Sequence, residues 1–173
     1  EAYLRRFDRA RAIDSYRRAL ALQPDHLPAP NNLAKPLRDR GDSDDRTERE
    51  YRKVLESIIV KYPDDLEAKA LLALAGMGDN RYGTERIIQE ILAKAPDHPG
   101  AHHYRIHNWN YHEPEQALDS CKRYGEIAPG SGHALHMPGH VYATVGMWHE
   151  AALSMDSATR TEKRLMRETL TFP

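Results

Sequence analysis

With a single cysteine, Cys121, the chain can form no internal disulfide, and nothing in its cysteine usage argues for a secreted, disulfide-stapled module. Long apolar runs are missing as well. None approaches the roughly 20 residues that span a bilayer. Nor is there an excess of one charge: 25 Lys and Arg stand against 26 Asp and Glu, for a formal net charge of −1. The two signs are interleaved along most of the chain, which is the pattern of solvated helix faces. Neither a nucleic acid nor a membrane is therefore expected as partner. Gly125, Gly130 and Gly132 lack the spacing and the preceding strand of a phosphate-cradling loop. No Ser–His–Asp or Cys–His arrangement is evident, and no His-Glu-x-x-His helix. Cys121 itself reads as a small buried residue.

The 173 residues are 40% hydrophobic and 29% charged, enough for one domain or one compact array with a true interior. The text opens on Glu1, inside a helical pattern, so a further segment is expected upstream. Localisation stays open on this reading, with the cytoplasm favoured.

The informative feature is recurrence. The stretches ALALQPD, IIVKYPDD, ILAKAPDHPG and YGEIAPGSG end alike, at Pro24, Pro63, Pro96 and Pro129, which are 39, 33 and 33 residues apart. Before each proline lies an apolar set with spacings of four and three: Ala12, Tyr16, Ala19; Tyr51, Leu55, Ile58; Thr84, Ile88, Ile91; Ala117, Cys121, Tyr124. Each set is one face of a 3.6-residue period, and each proline stands where that helix stops. The intervening segments, roughly 27–39, 66–77, 99–110 and 134–145, also read as helices. Pairs of helices repeating near 34 residues mark a solenoid, in which each pair buries its face against its neighbours.

On these residues the chain resembles the tetratricopeptide repeat (TPR) family, most closely in AIDSYRRALALQPD and, in the last repeat, at Gly139, Tyr142, Ala151 and Ala158. The resemblance implies an all-α, right-handed TPR-like solenoid of antiparallel helix pairs over residues 1–173. Its repeats are approximately 1–26 (truncated), 27–65, 66–98, 99–131 and 132–158, followed by a C-terminal helix 159–173. The chain departs from the pattern in 27–50, where Pro36 is expected to end or kink a helix and RDRGDSDDR to form a surface loop. A closed four-helix bundle is the alternative arrangement.

Ten histidines are present, and four of them are in register. His103 and His107 are four apart, as are His136 and His140, so each pair shares one helix face. From His103 to His136, and from His107 to His140, the interval is 33 residues, the local repeat length. The pairs therefore occupy equivalent positions on the first helices of consecutive repeats. By resemblance to the TPR family, those helices line a concave groove. Neighbouring helix axes about 8–10 Å apart would let the four imidazoles meet at one ion. The ion expected is a divalent transition metal, zinc first, with iron, copper and nickel also suited to imidazole. His133, Asn110 and Tyr111 are candidate further ligands or supporting contacts. His98, His102, His112 and His149 read as turn, packing or surface residues, and Arg105 as solvated or anion-binding.

HYRIH followed by HMPGH further resembles a bacterial TPR group in which both His-x-x-x-His pairs recur. Members of that group carry Glu where this chain has Asn110. Two functions are open on this reading. One is a binding scaffold that takes a peptide, a protein segment or a small ligand in a groove with a histidine-rich metal site. The alternative is a metal-dependent enzyme, hydrolytic or oxidative, using the same histidines.

Overall fold

The computed structural model describes residues 45–169, so the expectations for the repeat 1–26, for Pro36 and for the loop before Asp45 lie outside the described residues, as does the end of the C-terminal helix. The chain divides into two compact units, one ending at Ala75 and one beginning at Gly76. All the regular structure among the described residues is helical.

The first unit contributes α1 (Asp45–Lys61) and α2 (Leu66–Gly76). Tyr51, Leu55 and Ile58 are buried on α1, as their spacing predicts, and pack with Ala68, Leu71 and Ala75 of α2. Pro63 follows the end of α1. After it, the Asp65 carboxylate accepts the Ala68 N–H at 2.9 Å and so caps the start of α2. Ala68 and Ala73 are fully enclosed, and alanine at such positions lets helices approach closely without loss of helix propensity.

The second unit comprises α3 (Arg81–Lys94), α4 (Pro99–Trp109), a 3-10 turn (Pro114–Ala117), α5 (Leu118–Ile127), α6 (Gly132–Thr144) and α7 (Trp148–Thr169). Short connections join packed neighbours, so consecutive helices run antiparallel: α3 packs on α4, α4 on α5, α5 on α6, and α6 most extensively on α7. Thr84, Ile88 and Ile91 are buried on α3, and Cys121 and Tyr124 on α5, with Ala117 buried in the turn that leads into it. Pro96 and Pro129 lie just past α3 and α5, as read from the sequence. Each fully buried Ile or Val contributes roughly 2 kcal/mol through removal of apolar surface from water.

Polar contacts fix how α3 meets α4. Glu85 accepts hydrogen bonds from the Arg105 guanidinium at 2.8 Å and from the Trp109 indole N–H at 2.6 Å. Asn108 donates to the Arg81 carbonyl at 3.0 Å, and Arg81 donates back to the Asn108 carbonyl at 3.1 Å. Arg105 thus serves a largely enclosed ion pair instead of an anion site.

The turn after α6 is a Schellman motif. Gly146 has φ +81°, the Met147 N–H bonds to the Tyr142 carbonyl at 2.8 Å, and the Gly146 N–H to the Ala143 carbonyl at 3.2 Å. Gly139 faces α7 so closely that a Cβ there would lie 2.8 Å from Met155 Cε and 3.3 Å from Ser154 Cβ. Beyond residue 158, α7 runs on unbroken to Thr169, because neither proline nor glycine interrupts 148–169. No helix among the described residues is long and apolar enough to cross a membrane.

Candidate metal centre

Helix α4 begins at a double start signal. Pro99 occupies its first position, and the His98 ring caps it by accepting the Ala101 N–H at 3.1 Å. From that start the two faces of α4 divide cleanly. Ala101, His102 and Ile106 turn inward, and His103 and His107 stand one turn apart on another face. The His102 ring is a packing element. Its Nε2–H donates to the Pro96 carbonyl at 2.8 Å, which leaves Nδ1 to accept from the Ser120 hydroxyl at 3.0 Å. Burial, above all, holds His102 below the usual histidine range, with Arg105 and Arg123 adding to the effect against the Pro96 bond.

Helix α6 starts at Gly132, earlier than the 134–145 estimate, because the Ser131 side chain caps it by accepting the Ala134 N–H at 3.3 Å. Pro138 lies inside the helix and removes the bond that would reach back to Ala134. One residue on, the Ser154 hydroxyl of α7 donates to the Leu135 carbonyl. The early start also brings His133 into the helix, three residues before His136 and on the same side.

The first helices of the consecutive pairs, α4 and α6, touch directly, and across that contact the imidazoles gather. Nε2 of His103 lies 3.1 Å from Nε2 of His107 and 2.9 Å from Nε2 of His133. A ligand nitrogen from each of these three rings lies within 4.8 Å of the others. His136 and His140 form a second close pair, with Nε2 atoms 2.7 Å apart. The rings of His133 and His136 stack 6.4 Å apart between the two groups. Of the four histidines read from the sequence, His103 and His107 gather with His133, and His136 and His140 form an adjoining pair.

Proton bookkeeping shows what the triad suits. A neutral ring nitrogen carries either one proton or one lone pair. His103 Nε2 therefore cannot make two ordinary linear hydrogen bonds, one to each neighbour. A cation accepting three lone pairs satisfies all three nitrogens together. Tetrahedral ligands at 2.0–2.1 Å from zinc are about 3.3 Å from one another. The observed 2.9 and 3.1 Å contacts are a few tenths of an ångström inside that spacing.

The His103 ring is held in place by Tyr124 of α5, which stacks on it at 5.4 Å with 14° between planes. Tyr124 is itself buried, and that burial raises its phenol above the ordinary range. His140 is half-buried, and burial first, then His136 and His133, lowers it below the usual histidine range. A neutral ring is the form that binds metal.

Asn110 caps the end of α4 through its backbone and is only 2% exposed, with its side-chain oxygen meeting no donor among the described residues. Tyr111 projects into solvent at 82% exposure. Sequence reasoning missed the surroundings of His133 and His136. Together with Gly132, Met155, Ala158, Thr159, Glu162 and Lys163, they line a cleft of about 490 Å3 between α6 and α7.

Antiparallel helix pairs joined by short turns, with the first helices of consecutive pairs in contact, define a TPR-like helical repeat. Among solved structures, MamA has this fold: one MamA structure superposes with a TM-score of 0.69 at 21% identity, covering 94% of this chain and 93% of that chain. A second gives 0.68 at 20% identity, over 97% and 90%. A third, MamA MSR-1 C2, gives 0.60 at 17%, over 94% and 97%. What is shared at these identities is the fold. No family model matches the chain, and no curated protein matches its sequence.

Proposed function

We propose that the protein is a TPR-like binding scaffold whose α4–α6 surface carries a divalent transition-metal ion, held by His103, His107 and His133. The observation that carries this reading is the meeting of three imidazole nitrogens from two helices within 4.8 Å. Zinc fits first, since three nitrogens leave a fourth tetrahedral position for a ligand group. Iron, copper or nickel would suit the same donors. The direct contact of α4 with α6, which brings His133 of one helix to His103 of the other, supports a site built across two repeats. The occupant is a peptide, a protein segment or a small ligand, one donor of which completes the coordination.

A three-histidine ion with an open position is also the arrangement of catalytic zinc, and this keeps a hydrolytic enzyme as the second reading. It needs a base near the metal-bound water.

Equilibrium dialysis of untagged protein against zinc tests the proposal. Binding at the triad should be lost in His103→Ala, with the helical content unchanged by circular dichroism. Unaltered zinc binding in that variant would remove the triad from consideration. Extended peptides that bind only the zinc-loaded protein would support the scaffold over the enzyme, and turnover of an activated ester would support the reverse.

A further inference from the structure

A run of rings crosses from α5 through α4 to α6, and their planes alternate. His103 lies nearly parallel to Tyr124, at 14°, and His133 stands at 87° to His103. His136 lies near-parallel to His133, at 25° with ring centroids 6.4 Å apart, and His140 stands at 84° to His136. The two ligands that meet across the α4–α6 contact thus each have a stacked ring from outside the triad: Tyr124 for His103, and His136 for His133. The two supports are held differently. Tyr124 belongs to the buried core cluster. His133 is exposed and lines the open cleft between α6 and α7 together with His136. Its other near-parallel neighbour, His107 at 6.5 Å, is a fellow ligand. His136 is half-buried, and its Nε2 lies 2.7 Å from Nε2 of the half-buried His140, one turn further along α6. One proton between those two nitrogens satisfies both, since one donates and the other accepts. The pair closes on itself, and the three ligand groups that converge among the described residues are those of the triad.

We propose that His136 and His140 are positioning residues of the metal centre and not its ligands: His136 holds the plane of the His133 ring by stacking on it, and His140 holds His136 through the shared proton. The proposal rests on the triad reading. A ligating ring must be kept within about 0.5 Å of its productive place by its neighbours. An imidazole at an exposed helix position turns about two side-chain bonds, and fixing it at an ion costs conformational entropy. A ring already held in the ligating plane loses less freedom when the ion arrives, so the support shows in metal affinity more than in the stability of the fold. In the repeat register His136 corresponds to His103 and His140 to His107. Equivalent positions in consecutive repeats therefore divide the work: in one repeat the pair binds, and in the next it supports.

Zinc affinity of untagged protein, read by competition with a chelator, tests this together with zinc-edge absorption of the loaded protein. His136→Ala should lower affinity about 10–100-fold, the range for a supporting contact to a ligand. It should keep the same number of imidazoles around the ion as wild type, and the denaturation midpoint of the metal-free protein should stay close to wild type. His136→Phe keeps a flat ring against His133 and should recover most of the loss. His140→Ala should lower affinity by a smaller factor, and adding it to His136→Ala should lower it no further, because His140 acts through His136. Wild-type affinity in His136→Ala would overturn the proposal and leave the triad intact. Loss of one imidazole from the shell in that variant would overturn it too, by making His136 a ligand. So would a fall in affinity that His136→Phe does not rescue and that a matching loss of metal-free stability accompanies. A wild type that takes up no zinc would overturn the triad itself, and the support with it.

Discussion

His133 and His103 lie 30 residues apart in sequence, yet their Nε2 atoms are 2.9 Å apart and their rings meet nearly at right angles. The contact crosses from α6 to α4 and joins a histidine outside the repeat register to one inside it. It follows that His133→Ala should weaken zinc binding by at least tenfold, as much as His103→Ala does. His112→Ala, on the exposed turn after α4, should leave binding unchanged. Equal affinities for the His133 and His112 variants, by competition with a chromophoric chelator, would separate His133 from the metal.

Tyr124 positions the His103 ring by stacking and lies in the buried cluster beneath α6. Tyr124→Phe keeps the stacked face and should keep metal affinity within about twofold. Tyr124→Ala should lower affinity about 10–100-fold, the range for a supporting contact to a ligand. It should also destabilise the fold by about 3–5 kcal/mol. Denaturant melts of metal-free protein and zinc titrations read the two effects separately.

Ser120 is fully buried, and its hydroxyl donates to Nδ1 of His102. Ser120→Ala should cost about 1–3 kcal/mol, because the ring nitrogen is left without a partner. His102 is held below its ordinary value, so the native state favours the neutral ring. The stability this gives is complete above pH 6.5 and is lost as pH falls through the lowered native value. Urea melts of metal-free protein at pH 7.5 and 5.5 should show the decrease. A native-state NMR titration midpoint for His102 at or above 6.5 would contradict the assignment.

Burial pushes the Cys121 thiol up to about 12, against an ordinary value near 9. The thiol stays protonated in the folded state, so iodoacetamide at pH 8 should modify it only after unfolding. Its contribution to stability is complete below pH 9 and falls away between there and about 12. Cys121→Ala should flatten that alkaline decline in thermal melts taken between pH 8 and 11.

Much of the fold was legible because helical burial has a period the eye can follow. Tyr51, Leu55 and Ile58 on α1, and Thr84, Ile88 and Ile91 on α3, are buried as their spacing required. The prolines after α1, α3 and α5 fall just past the helices they follow, because a missing N–H ends a helix locally. The register of the histidine pairs was equally visible. What it could not give was the grouping on the surface. The position 33 residues before His133 is Gly100, so comparing repeats directs attention away from His133. Its approach to His103 depends on the Ser131 cap, which starts α6 at Gly132, and on the contact between α4 and α6. Glu162 was hidden in another way. It lies in a charged segment that reads as solvated, and the structure places it with His133 and His136 in the lining of the cleft between α6 and α7.

X-ray absorption at the zinc edge of untagged, singly loaded protein tests the central claim most directly. The account predicts about three imidazole nitrogens at 2.0–2.1 Å, with the outer-shell scattering of histidine rings. That shell should collapse in His103→Ala/His133→Ala. A spectrum of oxygen donors alone, or an imidazole shell that survives the double substitution, would contradict it.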